Sequence, residues 1–365
     1  MRKHGYQLGR LLALLALAAT ACAGPASPPP REPSAVPRAA DASSPPAPEP
    51  AAAASAPAAS PPPTVRLAQV EPGMVVGLIP IRAGAERGLF AEEGIELEFT
   101  SIPRGDTRTA ALASGNAQIM LGSAEDVVRA GEQDIHLPIV AALLNGTTYN
   151  VVAQPRFRTL PELRGETIGL VDLTSGSSVI LFEMMRANGL ELNRDYQALV
   201  VGGASERATA LRAGAVSATT LPMPDSTRLF DEGYSNLGDS IDYVKEFQNS
   251  PLAVRADWAA QNHSVLVRYL RAYLRTLDWV HSQKDEFVPI AARLLGFEPR
   301  YAAIGWDTYA GRGIWPRDGR PTIPGMAKVI DILAGQGTFG GSPAPPPDKY
   351  FELSYLEEAL RSLGR

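Results

Sequence analysis

Between residues 74 and 221 the apolar positions fall in short runs that alternate with stretches of helical spacing. Residues 74–79 form an apolar run of strand length that Pro80 ends, and a small-residue helix follows over residues 82–90. After Gly94, residues 95–99 alternate with a period of two, which turns Glu96 and Glu98 toward solvent. Residues 107–114 read as a helix closed by Gly115, and residues 118–121 as a buried strand. Ser123 is placed to cap a helix over residues 124–130. Residues 137–144 and 148–153 then read as two strands separated by the turn dipeptide Asn145-Gly146.

A second series repeats the pattern. Thr159-Leu160-Pro161-Glu162 has the form of a capping box with proline in the first turn, and Gly165 stops that helix. A strand over 167–171, the loop 174–178 and a helix over 179–188 come next. A strand over 198–201, the Gly202-Gly203 loop, a helix over 206–212 and a strand over 216–221 complete the series. Beyond residues 242–247 the pattern is helical to the end, and Leu266, Tyr269, Leu270, Tyr273, Leu274 and Leu277 share one helical face that reads as core. Strands alternating with helices imply parallel sheets with crossovers. Two such halves predict an α/β protein of two lobes, each a mostly parallel sheet flanked by helices, with a helical C-terminal region. The expected division is residues 65–153 with 241–365 for the first lobe and 154–240 for the second. Gln154-Pro155 and Pro222-Met223-Pro224 are the expected hinge crossings.

Composition changes the picture mainly at the N-terminus. Arg2, Lys3 and Arg10 precede a short apolar run and then Ala19-Thr20-Ala21-Cys22, the parts of an export signal over residues 1–21. The apolar run is shorter than the roughly 20 residues a membrane span needs. Two processing routes fit: ordinary cleavage after an A-x-A site, which leaves a free periplasmic protein, or a lipobox-like cleavage. In the second, the thiol of Cys22, the only cysteine in the chain, takes a lipid that anchors the protein outside the cytoplasm. Residues 22–64 are dominated by Ala, Pro and Ser and form an expected disordered spacer, since they hold little apolar bulk to offset ordering. Loss of residues 1–21 would take the formal charge from −5 to −8, which argues against nucleic acid as a partner. The four histidines and single cysteine show no metal-ligand spacing, so neither a metal nor another cofactor is expected.

In open α/β sheets, ligands sit beyond the carboxyl ends of the strands, where unpaired N–H groups at helix N-termini suit anions. That rule selects Pro80, Ile81 and Arg82, then Gly105 and Thr107, then Gly122 and Ser123 in the first half. In the second half it selects Thr174, Ser175, Gly176 and Ser177, with Gly203 and Ser205. The Thr174–Ser177 loop combines close backbone approach at glycine with hydroxyl donors and a following helix. Arg82 is the expected charged contact, with Arg104 and Arg108 as alternatives, and Tyr149 is positioned to stack on a planar ligand.

Several stretches resemble one family. Gly88-Leu89-Phe90-Ala91-Glu92-Glu93-Gly94-Ile95 is similar to the opening motif of nitrate, sulfonate and taurine substrate-binding proteins of ABC importers. Ala110-Ala111-Leu112-Ala113-Ser114-Gly115 resembles their next element, with Gln118 where many relatives carry Asp. Leu160-Pro161-Glu162-Leu163-Arg164-Gly165, Ala256-Asp257-Trp258 and Tyr355-Leu356-Glu357-Glu358-Ala359-Leu360 follow in family order. The resemblance implies a type II periplasmic-binding-protein fold, related to proteins that bind thiamine pyrimidine precursors. It implies a small-molecule ligand held between the lobes, delivery to an ABC permease and its ATPase, and a monomer. On this reading the protein is a receptor and not an enzyme. An enzyme acting on a pyrimidine-like precursor and a ligand-sensing surface protein remain the alternatives; the cysteine-rich motif of the family's single-turnover synthases has no counterpart here.

Overall fold

The computed structural model describes residues 63–365; the export segment, Cys22 and the spacer up to residue 62 lie outside the described residues. The first sheet is built from β1 (Val65–Glu71), β2 (Ile95–Ser101), β3 (Ile119–Leu121) and β4 (Ile139–Asn145). Between them lie α1 (Pro80–Glu86), α2 (Gly105–Ala113) and α3 (Ala124–Gly131). The second sheet takes β5 (Tyr149–Ala153), β6 (Thr167–Leu170), β7 (Gln197–Val200), β8 (Ala218–Pro222) and β9 (Ser235–Asp239). Its helices are α4 (Gly176–Ala187), α5 (Ala204–Arg212) and α6 (Asp225–Asp231). After α7 (Ser240–Tyr243) the chain returns through β10 (Gln248–Ala253) to the first sheet. Six helices follow: α8 (Ala256–Gln261), α9 (His263–Ser282), α10 (Lys284–Leu295), α11 (Pro299–Gly311), α12 (Ile323–Gly335) and α13 (Ser354–Ser362).

The strand orders are β2-β1-β3-β10-β4 and β7-β6-β8-β5-β9. In the first sheet β10 runs antiparallel to β3 and β4; in the second, β5 runs antiparallel to β8 and β9. Four of five strands in each sheet therefore share a direction, and the exception is the strand that has just arrived from the other lobe. The α/β two-lobed architecture expected from the alternation is present, with its sheets mixed rather than purely parallel.

Four expectations are corrected. Residues 74–79 are a loop, and the first strand is β1, whose alternation is masked by buried Gln69 and Glu71. Tyr269 donates a hydrogen bond to Gln69 at 2.7 Å and Arg82 pairs with Glu71, so each polar side chain has one partner in the core, while Gln69 Nε2 and Glu71 Oε2 have none. Gln248–Ala253 is a strand within the region read as wholly helical. Its Gln248, Asn249, Ser250 and Pro251 look like a loop, but Gln248 donates to the Leu144 carbonyl and accepts from the Thr322 amide. Third, Asn145-Gly146 does not close a hairpin; it carries the chain from β4 in one sheet to β5 in the other. Tyr149–Ala153 therefore belongs to the second lobe. Last, the crossings fall between Asn145 and Tyr149 and between Asp239 and Gln248, because strand pairing puts Gln154-Pro155 and Pro222-Met223-Pro224 inside the second lobe.

The core follows the helical spacing of α9. Leu266, Tyr269, Leu270, Tyr273, Leu274 and Leu277 are all fully buried against the first sheet. Each such side chain contributes roughly 1.5–3 kcal/mol relative to exposure. The free edge of β4 is covered by the C-terminal segment, where the Ala142 amide donates to Gly319 and Phe351 bridges to Ile139. A second apolar cluster joins Val127 and Val128 of α3 to Ile168, Val179 and Met184 of the other lobe, so the seam between the sheets is itself packed. Among the described residues no helix is long and apolar enough to cross a membrane.

Candidate functional site

The strands of both sheets end on one cleft of about 400 Å³ between the lobes. The first lobe contributes the loop from Pro72 to Val75, Gly122-Ser123 after β3, and Asn249-Ser250 of β10. The second contributes Tyr149, Ser175-Gly176-Ser177 at the start of α4, and Gly203–Arg207 at the start of α5. Met74, Leu78, Leu144, Leu295 and Phe297 form an apolar wall. The lobes touch across the opening, where the Val76 amide donates to the Met223 carbonyl at 3.4 Å.

The local sequence explains the polar floor. Ser123 caps α3 in a reciprocal box with Asp126, each side chain accepting from the other's amide at 3.4 Å. Asp172 accepts from the amides of Thr174 and Ser175 at 2.7 and 2.6 Å and so shapes the loop into α4. Ser175 shares its hydroxyl with Ser178 at 3.1 Å and with Ser177 at 3.4 Å, so the serines bond to one another rather than to the helix end. The first α4 residues, Gly176 and Ser177, line the cleft at a helix end whose opening amides have no side-chain cap.

Two arginines line this space, and their situations differ. Arg108 of α2 is buried but neutralised: it donates to Asp126 at 2.8 Å and to the carbonyls of Ile102 and Pro103 at 2.7 and 2.6 Å. Arg207 of α5 is only 3% exposed, and no carboxylate pairs with it among the described residues. Its one hydrogen bond goes from Nη1 to the Ser177 hydroxyl at 3.4 Å, and its Nε has no partner. Burial pulls its pKa down to about 10, with Tyr149, Asp225, Asp172 and Glu206 acting weakly in the opposite direction. A buried guanidinium without a counterion is costly by several kcal/mol unless something anionic joins it. Asp225, also in the cleft wall, has its carboxyl raised by burial, partly offset by Arg228 and Arg207.

Tyr149 stands beside Arg207, its phenol raised by burial and then by Glu125. Tyr309 closes the inner end, accepting from Thr148 at 2.7 Å and stacking on Trp315 with ring centroids 5.2 Å apart. The arrangement offers one positive group, several hydroxyl and amide donors, and an apolar wall opposite them. Among the described residues no three His, Cys, Asp or Glu side chains come together as metal ligands do.

Residues 77–287 match the pattern of the NMT1/THI5 like family. The chain belongs to that family. Over 213 residues it is 25% identical to the formylaminopyrimidine-binding protein of Halalkalibacterium halodurans, a match covering 55% of this chain and 62% of that protein. The alignment thus spans less than two thirds of that relative. Solved structures share the fold at lower identity. The periplasmic nitrate-binding protein of Synechocystis PCC 6803 superposes with a TM-score of 0.68 at 14% identity, covering 82% of this chain and 89% of that one. A putative periplasmic sulfonate-binding protein from Methylobacillus flagellatus KT gives 0.64 at 15% identity, covering 82% and 95%.

In this NMT1/THI5-like protein the positions expected from sequence divide into two groups. Gly122, Ser123, Tyr149, Ser175, Gly176, Ser177, Gly203 and Ser205 line the cleft together. Pro80, Ile81, Arg82, Gly105, Thr107 and Thr174 do not. Pro80 and Ile81 are buried in the first turn of α1. Arg82 is held by Glu71 at 2.7 Å and lies 4.3 Å over the Phe99 ring, so its charge is used inside the first lobe. Gly105 faces Asp126, which a side chain there would strike at 2.1 Å, while Thr107 and Thr174 are exposed. Arg207, Asn249, Asp225 and the Pro72–Val75 loop are among the cleft residues that sequence reasoning missed. Arg207 left one signal: it lies in the opening turn of α5, where a basic residue opposes the helix dipole.

Proposed function

We propose that this protein is an exported solute receptor of an ABC importer, which binds a small organic anion in the interlobe cleft and carries it to the permease. The observation that carries the reading is Arg207, buried in the cleft wall without a counterion beside the donor-lined start of α4. A carboxylate or sulfonate placed there would accept from the guanidinium, the Ser175 and Ser177 hydroxyls and the helix amides. The apolar wall of Met74, Leu295 and Phe297 suits a compact organic body, and Tyr149 offers a face for a planar one. The formylaminopyrimidine-, nitrate- and sulfonate-binding relatives support a receptor over an enzyme. Tethering through Cys22 and the Ala/Pro spacer would keep the lobes near the permease.

A thermal-shift and calorimetric screen of organic sulfonates, carboxylates, nitrate and aminopyrimidines tests this. Reversible one-to-one binding of an anion, recovered chemically unchanged, is the expected result. Turnover of the bound compound would instead establish the enzymatic alternative.

A further inference from the structure

Behind the cleft floor lies a carboxyl group that the binding reading does not use. Glu125 is the second residue of α3 and is fully buried. Neither of its oxygens has a well-aligned hydrogen-bond partner, although its own amide and the Ser123 hydroxyl lie close by. It sits at the seam between the lobes: a methyl group added to Gly176, at the start of α4 in the other lobe, would meet Oε1 at 3.1 Å. Gly176 and Ser123, its neighbours on either side of the seam, both line the cleft.

We propose that Glu125 couples proton uptake to closure of the cleft: it enters the seam as a neutral carboxylic acid, and its ionised form favours the lobes apart. The proposal rests on the reading of the cleft as a closing solute site. An ionised carboxylate sealed against Gly176 would lose its water and gain no cation in exchange, whereas lobe separation returns it to solvent.

The charged and titratable surroundings are consistent with this. On α3 itself, Asp126 opposes ionisation of Glu125, and Arg129 favours it from the same helix. Asp126 is already paired with Arg108 of α2. From β5, Tyr149 faces Glu125, and Arg207 of α5 faces Tyr149. On α4 the neighbour is a glycine. Burial is the dominant influence and pushes the carboxyl up to about 8, with the amide of Glu125 and the Ser123 hydroxyl acting the other way. Because the closed form holds the proton more tightly, closure is fully favoured below the ordinary carboxyl range. That advantage is lost as pH rises through about 8. Within the window the closing equilibrium changes by roughly tenfold per pH unit.

The test uses the exported chain without added solute, so that it stands even if no solute of the proposed class is found. Infrared difference spectra between wild type and Glu125→Gln read the carbonyl stretch of a neutral carboxylic acid. Small-angle scattering from pH 5 to 9 reads lobe separation. The expected result is a neutral-acid band at pH 6 that vanishes above pH 8 together with an increase in radius of gyration. Glu125→Gln should lack the band and stay compact across the range. Gly176→Ala, which crowds the same carboxyl, should shift wild-type-like opening to lower pH. Ionised Glu125 at pH 6 would overturn the proposal. So would a radius of gyration in wild type that ignores pH, or one that follows pH identically in Glu125→Gln.

Discussion

Arg82 and Arg207 occupy comparable places in the sequence, each near the start of a helix that follows a glycine- or proline-marked loop. Their fates differ because of what the tertiary structure puts beside them. Arg82 meets Glu71, a 1% exposed carboxylate of β1, at 2.7 Å. Arg207 meets a serine hydroxyl and a tyrosine, and no carboxylate within pairing distance. Arg82→Ala should therefore act on stability, leaving Glu71 buried alone at a cost of about 3 kcal/mol, while solute affinity changes little; denaturant unfolding beside calorimetry checks this. Arg207→Ala should do the reverse. Removing an unpaired buried charge should leave the melting temperature of the free protein unchanged or higher. Affinity for an anionic solute should fall at least tenfold, about 1.4 kcal/mol. Arg207→Lys should recover little, since a single ammonium cannot reproduce the forked geometry.

At the scale of elements, the α4 and α5 loops were legible because the rule that selects them is local: strand, small polar residues, helix. Ser175–Ser177 and Gly203–Ser205 reach the cleft because β6 and β7 lie side by side in the second sheet and deliver both helix starts to one edge. β1 and β10 were not legible because their alternation depends on buried Gln69, Glu71 and Gln248, polar residues whose partners come from α9, α1 and the segment before α12. The apolar residues 74–79 were misread for the opposite reason. Val76 to Ile79 are buried by helix packing around a loop, with Trp315 donating to the Gly77 carbonyl at 2.9 Å and Tyr309 against Gly77, while Met74 is exposed. Core helix α9 carries a prediction of its own. Leu277→Ala should destabilise the protein by about 2–5 kcal/mol, read by chemical denaturation.

On the scale of the whole molecule, two crossings join the lobes. Both are short segments, one through Gly146 and one through α7, and each ends in the antiparallel strand of its sheet. The contacts of Glu125 with Gly176 and of Val76 with Met223 both lie between the lobes. The sequence periodicity shows two α/β halves but not where they join, because Asn145-Gly146 is a hairpin dipeptide by local chemistry and a crossing only by strand pairing. A solute bridging Arg207 in one lobe to Ser123 or Asn249 in the other would bias the molecule toward closure. Scattering with saturating solute should then show a more compact particle than without, and Arg207→Ala should abolish that difference.

Native mass spectrometry of the exported protein, isolated from its own cells alongside the Arg207→Ala variant, tests the central claim most directly. The expected result is one small acid bound one-to-one to the wild type, released intact on denaturation, and absent from the variant. An equal load on both proteins, or a bound compound that the protein converts, would contradict it.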